Sequence, residues 1–520
     1  MENNITIFDC LYPKYKINKP IRLIELFAGY GSQALALKYL GVKLEHWKIC
    51  EWAIKSIQAY KDIHFPDKDV KFKEERTKEE MVEFLHRKGI SSNYNEPMSK
   101  EQIKRLKEED LKRIIKNIGI THNLVNIQQV KGKDLEIKDT DKYDYILTYS
   151  FPCQDLSLAG KQKGMSDTST RSGMLWEVER ILSECKELGN MPQILLMENV
   201  PQVHGADNLQ DFNKWQLRLE ELGYKNYMQD LIATDYGIPQ TRNRCFMLSI
   251  LGDYSYTFPK PIPLKLKLKD MLEENVDEKY FISDKQLNQI ENWNAYKKQE
   301  KEVVTLGNYS PSGHNASRIV DSNGLAPTVM ENHGTITAIV DESNIKRELC
   351  NKLIRDNLVK ENDVIRHSYS NSRLNDWKTR SIEKNNLSPT LDTRCDCLGI
   401  VISEDNKNRF LTNKDGYEIA GSKIIDDRDA NFNGVNITNI CPTQRATRNG
   451  LKVLQTDLRI RKLTPKECFR LMGVKDEDFE KARKNQSDIS LYHLAGDSIV
   501  VNVLMAIFNE LINIDKTNIL

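Results

Sequence analysis

The run DYILTYSFPCQDLSLAG, Asp144 to Gly160, carries an apolar, strand-like stretch into a proline and then a cysteine. A structural cysteine behaves as a small hydrophobe and belongs inside the apolar run. A nucleophilic thiol belongs at the carboxyl end of a strand, where open α/β sheets take their ligands. Cys153 stands at that end, with Pro152 fixing the backbone before it. This stretch alone leaves both readings open. A second constellation lies upstream in ELFAGYGS, Glu25 to Ser32, where Gly29 and Gly31 between a strand and a helix would let a ligand approach the backbone closely. Any tight strand-to-helix turn can carry G-x-G. Glu51, however, closes the next strand about 20 residues on, where a nucleotide-binding fold puts the carboxylate that takes ribose hydroxyls. Trp52 beside it offers a ring for an adenine, and Asp134 in KGKDLE adds a third carboxylate. The full G-x-G-x-x-G pattern is missing, so the set suits an adenosyl ligand better than a diphosphate.

Such residues need a scaffold. From about Ile21 to Leu251 short apolar runs alternate with helical patterns, as a parallel α/β sheet would. IRLIELFAG and EHWKICEW read as strands, each followed by a helix, SQALALKYLG and AIKSIQAYKDIH; YDYILTYS, QILLMENV and RCFMLSIL are further strands. Residues from about 67 to 126 interrupt the alternation. There SKEQIKRLKEEDLKRIIKNIG places Ile103, Leu106, Leu111, Ile114, Ile115 and Ile118 on one helical face, which predicts a solvated helical insertion packed on the sheet. After about Phe258 the text turns Asn-, Ser- and Gly-rich with short β runs, and a weak repeat recurs around Pro327, Pro389 and Pro442. That predicts a β-rich second domain over 258–458, flanked by a larger domain of residues 1–257 and 459–520. The closing AGDSIVVNVLMAIFNELI, from Ala495, reads as an amphipathic helix.

Composition bounds the rest. The chain of 520 residues has room for roughly two to four domains of about 100–200 residues. Hydrophobic residues make up 39% and charged ones 29%, enough apolar material for packed cores. A net charge of +1 argues against a basic coat but leaves room for a local basic cleft. The ten cysteines lack framework spacing, which predicts reduced thiols, and the Cys395–Cys397 pair lacks the other half of a zinc site. No signal peptide and no run of about 18 apolar residues is evident, so no membrane span is expected.

Taken in order, ELFAGYGS, CEWA, FPCQDLSLAGKQKGM, LLMENV, DYGIPQTRNRCFML, RKLTPKECFRLMG and AGDSIVVNVL resemble the DNA (cytosine-5)-methyltransferases of bacterial or phage type. The resemblance implies a Rossmann-like methyltransferase domain with a mostly parallel, doubly wound sheet, a second, smaller target-recognition domain, and S-adenosyl-L-methionine as cofactor. It implies catalytic roles for Cys153 as nucleophile, for Glu198 as the acid that meets cytosine N3 and N4, and for Arg242 and Arg244 flanking the base. By themselves Glu198 reads equally as a carboxylate near a helix N-terminus, and the two arginines as surface charges. Cofactor contacts are implied for Phe27, Ala28, Gly29, Tyr30, Gly31, Glu51, Trp52, Asp134, Leu135, Pro152, Leu175, Asp497 and Ser498. LAGKQKGM resembles the loop that closes on a flipped base, giving DNA contacts to Gln154, Ser157, Lys161, Gln162 and Lys163. Arg318, Arg380, Arg394 and Arg445 would read bases from the second domain. This sequence departs from the family at Glu25, where Asp is common, at Ser32, where a second glycine is usual, and at Asp497, where Asn is common.

The expected partner is double-stranded DNA, in restriction–modification with a cognate endonuclease or as an orphan or phage methylase, with the protein monomeric, cytoplasmic and nucleoid-associated and no metal involved. A contact to the DNA backbone is the alternative use of the insertion. A tRNA cytosine-C5 methyltransferase carries the same motifs, and a non-catalytic DNA-binding relative is the other alternative. The long segment between QTRNR and LTPKE favours DNA, because a target-reading domain must fill a groove.

Overall fold

The computed structural model describes residues 12–68, 75–151, 172–281, parts of 303–341 and 459–512, with separate strands between 364 and 454. The chain divides into two compact units. The first comprises Met1–Met271, Ala326–His333 and Pro465–Leu520, and the second Leu272–Leu325 and Gly334–Thr464.

The first unit is built on six strands: β1 (Ile21–Leu26), β2 (Leu44–Cys50), β3 (Asp144–Tyr149), β4 (Ile194–Asn199), β5 (Tyr224–Ile232) and β6 (Asn243–Leu251). Their order is β2-β1-β3-β4-β6-β5. Pairings β1–β2, β1–β3 and β3–β4 are parallel, and β6 runs antiparallel to both its neighbours. This mostly parallel sheet is the Rossmann-like architecture. β1, β3 and β4 are buried along their whole length, which is why their sequences are mostly apolar rather than strictly alternating. β5, absent from the strands read in the sequence, is an edge strand exposed along Met228–Asp230, so this part of it had no core to pattern it.

Period-2 geometry sorts the strand residues. Ile24, Leu26, Leu147, Tyr149, Leu195 and Met197 enter one core with Val178, Ile181 and Leu182 of α6 (Leu175–Glu187) and Phe212, Trp215 and Leu219 of α7 (Leu209–Glu221). Their strand neighbours Glu25, Thr148 and Glu198 therefore face the other side. At that side α11 (Val501–Ile512) packs against α1 (Ser32–Tyr39). The continuous stretch Asp488–Ile512, which includes α10 (Asp488–Asp497), is long and apolar enough to cross a bilayer by length and composition. That corrects the expectation of no such run. With 72% of its 18-residue apolar window buried inside the fold, it serves as a core element here.

The interruption after β2 contains α3 (Lys78–Lys88), α4 (Lys100–Lys104) and α5 (Glu108–Ile120). The single helical face expected from Ile103 to Ile118 is split between α4 and α5. Ser99, in a reciprocal cap with Gln102, starts α4, and Lys107 begins a new helix. Ile103, Leu111, Ile114, Ile115 and Ile118 still share one core, completed by Met81, Val82, Leu85 and Met98. The insertion packs on Ile57 of α2 (Ile54–His64), and at its exit Leu124 N–H donates to the Ile49 carbonyl of β2 at 2.8 Å.

In the second unit β7 (Thr305–Asn308), β8 (Arg318–Val320), β9 (Ala338–Asp341) and β16 (Arg459–Lys462) form a sheet of order β16-β9-β8-β7. β10 (Val364–Ser368), β11 (Lys378–Glu383) and β12 (Cys397–Ile400) form a second, ordered β11-β10-β12. β13 (Lys423–Asp426), β14 (Asn436–Thr438) and β15 (Lys452–Leu454) form a third, ordered β14-β13-β15. The last two share one topology, with the first strand central and antiparallel to both others. Asp341 pairs with Arg459, so the chain leaves β9 and returns beside it as β16 after passing through both sheets. Ala326–His333, expected in the second domain, belongs to the first unit. Ala326 N–H donates to the Pro239 carbonyl at 2.8 Å and Thr241 N–H to the Ala326 carbonyl at 3.0 Å.

Candidate active site

The end of β4 carries MENV. Glu198 is buried, and Arg244 of β6 reaches it, with Nε 3.1 Å from Oε1. Burial raises the Glu198 carboxyl above the ordinary carboxylate range, and the charges of Arg244 and Arg242 pull it back. The neighbouring residue braces the chain. Asn199 Nδ2 donates to the Phe151 carbonyl at 3.0 Å, and its Oδ1 accepts from Val200 N–H at 2.8 Å. The strand bearing Glu198 is thus tied to the residue two before Cys153. Arg242 is differently used: its guanidinium donates to the carbonyls of Val329, Gly496 and Ser498 at 3.0, 3.0 and 2.7 Å. Gln240, buried nearby, bonds the Leu471 carbonyl and accepts from Val329 N–H. Both are quoted in the IPQTR motif, but nothing in their type announced backbone partners so distant in sequence.

A second cluster forms where β1 and β2 end. Phe27, Gly29 and Gly31 have φ of 60°, 54° and 85°, a left-handed turn leading into α1. Phe27 N–H donates to the Cys50 carbonyl at 2.8 Å. A Cβ on Gly31 would meet His64 Nε2 at 2.4 Å and Tyr60 Cε2 at 2.6 Å, so only glycine fits. A Cβ on Gly29 would meet nothing within 4 Å, and Gly29 N–H donates at 2.9 Å to Glu51 Oε2. Open space over a glycine backbone, edged by a carboxylate, fits the ribose and methionine of an adenosyl sulfonium. Ala53 N–H holds the other Glu51 oxygen at 2.8 Å, while burial pushes this carboxyl up to about 7. Tyr30 turns inward: its hydroxyl is 2.8 Å from Ser498 Oγ, and its ring stacks on Phe469 at 5.1 Å. This contact fastens the AGDS segment to the first glycine turn.

A model of the C-5 cytosine-specific DNA methylase family matches residues 105–513. The chain belongs to this family. It is 38% identical over 275 residues to the orphan methyltransferase M.SssI of Spiroplasma monobiae, covering 51% of this chain and 68% of that one. It is 37% identical over 274 residues to the type II methyltransferase M2.ScrFI of Lactococcus lactis subsp. cremoris, covering 51% and 71%. With the orphan methyltransferase M.SPRI of Bacillus phage SPR it is 28% identical over 455 residues, covering 77% and 94%. The protein is a DNA (cytosine-5)-methyltransferase, in preference to the tRNA-modifying and non-catalytic alternatives, and its family depends on S-adenosyl-L-methionine.

Not every anticipated residue of the methyltransferase joins these clusters. Asp134 caps its own turn, accepting from Lys131 N–H at 2.9 Å. Leu135 and Leu175 are fully buried in the α6–α7 core. Trp52 is half-buried against the insertion core, and Asp497 is exposed with Oδ2 3.2 Å from His493 Nε2. Arg318 lies half-buried on β8, and burial lowers its pKa. Pro152, Cys153, Gln154, Ser157, Lys161, Gln162, Lys163, Arg394 and Arg445 lie outside the described residues, and of Arg380 only the strand position on β11 is described. Among the described residues one group of metal-capable donors, His204, Asp230 and Cys245, lies within 4.8 Å of one another. There the imidazole already bonds the carboxylate at 2.9 Å, and burial raises the thiol, disfavouring a thiolate ligand.

Glu25, fully buried, accepts from Tyr60 Oη at 2.5 Å and from Ala34 N–H at 3.3 Å. Burial still lifts its carboxyl from 4.5 to about 7. The folded state therefore holds this proton more tightly than the unfolded chain. The stability gained is complete below the unfolded value and is lost as pH rises through about 7. Glu25→Gln, neutral throughout, is expected to flatten the fall in melting temperature between about pH 5 and 8, by the equivalent of roughly 3 kcal/mol or less. Thermal denaturation across that range reads it; an unaltered slope would assign the dependence to another group.

Proposed function

We propose that this methyltransferase works on a cytosine rotated out of the duplex, through a covalent bond between Cys153 and C6. Cytosine C5 is too poor a nucleophile to take a methyl group unaided. Addition of the Cys153 thiolate at C6 makes the ring enamine-like, with electron density at C5. S-adenosyl-L-methionine, when bound, supplies the electrophilic methyl that C5 accepts. Loss of the C5 proton to a base then lets the C6–S bond break, restoring the ring and freeing the thiolate. Duplex stacking covers C6, so the base must leave the helix first.

Addition at C6 also pushes negative charge onto N3. Glu198 in its acid form would donate a proton there and accept from the N4 amino group, which thymine lacks. Its burial favours that acid form, and Arg244 fixes its orientation. The observation carrying this reading is the Asn199–Phe151 bond, because it sets the acid and the start of the thiol loop in one frame. Arg242, given to carbonyls, would brace that frame while Arg244 faces the base. Phe27–Gly31 and Glu51 would hold the cofactor's methionine and ribose, with Trp52 beside the adenine and Tyr30 and Ser498 as wall. Residues of the second unit, Arg318 among them, would read the recognised sequence from the major groove. The protein would act as a monomer without a metal in the compartment that holds DNA, as an orphan or phage enzyme or beside a cognate endonuclease.

Bisulfite sequencing of plasmid DNA and of tRNA from cells expressing the gene tests this. The reading expects methylated cytosines in one sequence context of the plasmid. Methylation confined to tRNA would overturn it.

A further inference from the structure

We propose that the helical insertion is a working part of the cofactor site, with Asn123 as the positioning residue that sets Glu51. This rests on the reading of Glu51 as the ribose-holding carboxylate. The insertion grips the end of β2 on both sides. Asn123 Oδ1 accepts from Glu51 N–H at 3.0 Å, and its Nδ2 donates to the Glu51 carbonyl at 2.8 Å. One side-chain amide thus satisfies both main-chain groups of Glu51, as a neighbouring strand would. Leu124 N–H continues the pairing, donating to the Ile49 carbonyl at 2.8 Å. On the far side of Glu51, Ser91 N–H donates to the Trp52 carbonyl at 2.8 Å and its carbonyl accepts from Ile54 N–H at 2.9 Å. Glu51, Trp52 and Ala53 are therefore spanned by the insertion's exit and by the segment after α3.

The backbone around Asn123 is held under strain. His122 has φ of 50° and Val125 of 73°. A β-branched residue in the left-handed region is an outlier that costs energy and persists only where its surroundings impose it. Val125 is buried in the insertion core, its carbonyl accepts from Cys50 Sγ at 3.4 Å, and its N–H donates to Asn123 Oδ1 at 2.9 Å. The packing of the insertion thus aims the Asn123 amide. Tyr94, also left-handed at φ 63°, sets its ring 3.7 Å from that of His493, beside Asp497. The insertion consequently meets the Glu51 segment directly and reaches the AGDS segment through His493, and the cofactor reading places both segments around one ligand.

Because Asn123 touches main chain only, it acts through Glu51, and its loss should appear in cofactor affinity rather than in the chemical step. Asn123→Ala is expected to raise the Kd for S-adenosylhomocysteine about tenfold or more, by calorimetry on the full-length protein. KM for S-adenosylmethionine should rise in step, with kcat at saturation within about twofold and duplex-DNA affinity unchanged. Leu219→Ala, which truncates the α6–α7 core rather than the insertion core, should lower the melting temperature and leave that Kd within about twofold. In wild type, S-adenosylhomocysteine should slow hydrogen exchange at Ser91 and Leu124. If Asn123→Ala binds the cofactor product as wild type does while Glu51→Ala loses it, the insertion has no part in the site. If Glu51→Ala also binds normally, the cofactor reading itself fails.

Discussion

Cys153→Ala is expected to lower methyl transfer to below about one part in ten thousand of wild type, since removing a covalent nucleophile leaves only binding and electrostatics to act. Affinities for S-adenosylhomocysteine and for duplex DNA should stay within about threefold, because the Cys153 side chain adds its bond only after both are bound. Duplex carrying 5-fluorocytosine at the target should trap the wild-type protein. Fluorine at C5 cannot leave as a proton, so the C6–S bond persists and the complex survives denaturing electrophoresis. The alanine variant should give no such band. A covalent complex formed by Cys153→Ala would place the nucleophile elsewhere.

Glu198→Gln should lower kcat by roughly a hundred- to ten-thousandfold, the usual range for losing a positioned acid together with charge stabilisation at one site. The amide keeps the shape and can still face N3, but it has no proton to give. The pH profile separates this role from mere packing. Burial holds the folded Glu198 carboxyl above its ordinary range, and the proposed working form is the acid. Wild-type single-turnover rate should therefore fall as pH rises through that folded value. In Glu198→Gln the falling limb should vanish, leaving a low, flat rate. A limb of equal steepness in the glutamine variant would assign it to another group. Arg244→Lys should give a smaller loss, because lysine retains the charge but not the planar fork that orients a carboxylate.

Much of this protein could be read from local sequence, and the reason is geometric. Strands buried on both faces read as mostly apolar runs, so β1, β3 and β4 are legible as IRLIEL, DYILTY and ILLMEN. Gly31 is legible because a Cβ there has no room. The order of the motifs carried the family and its chemistry. What the chain alone did not decide was which polar side chains serve main chain far away in sequence. Asn123 reaches Glu51 across 72 positions and Arg242 reaches Ser498 across 256. Asparagine and arginine at such positions look like surface residues, since a hydrogen bond to a carbonyl or amide asks nothing of the partner's side chain and leaves no pattern in the text. The same cause hid the place of Ala326–His333 in the first unit, because its ties to residues 239–242 run through main-chain groups on at least one side. Tertiary packing alone brought those groups within reach, and burial then made each of their bonds obligatory.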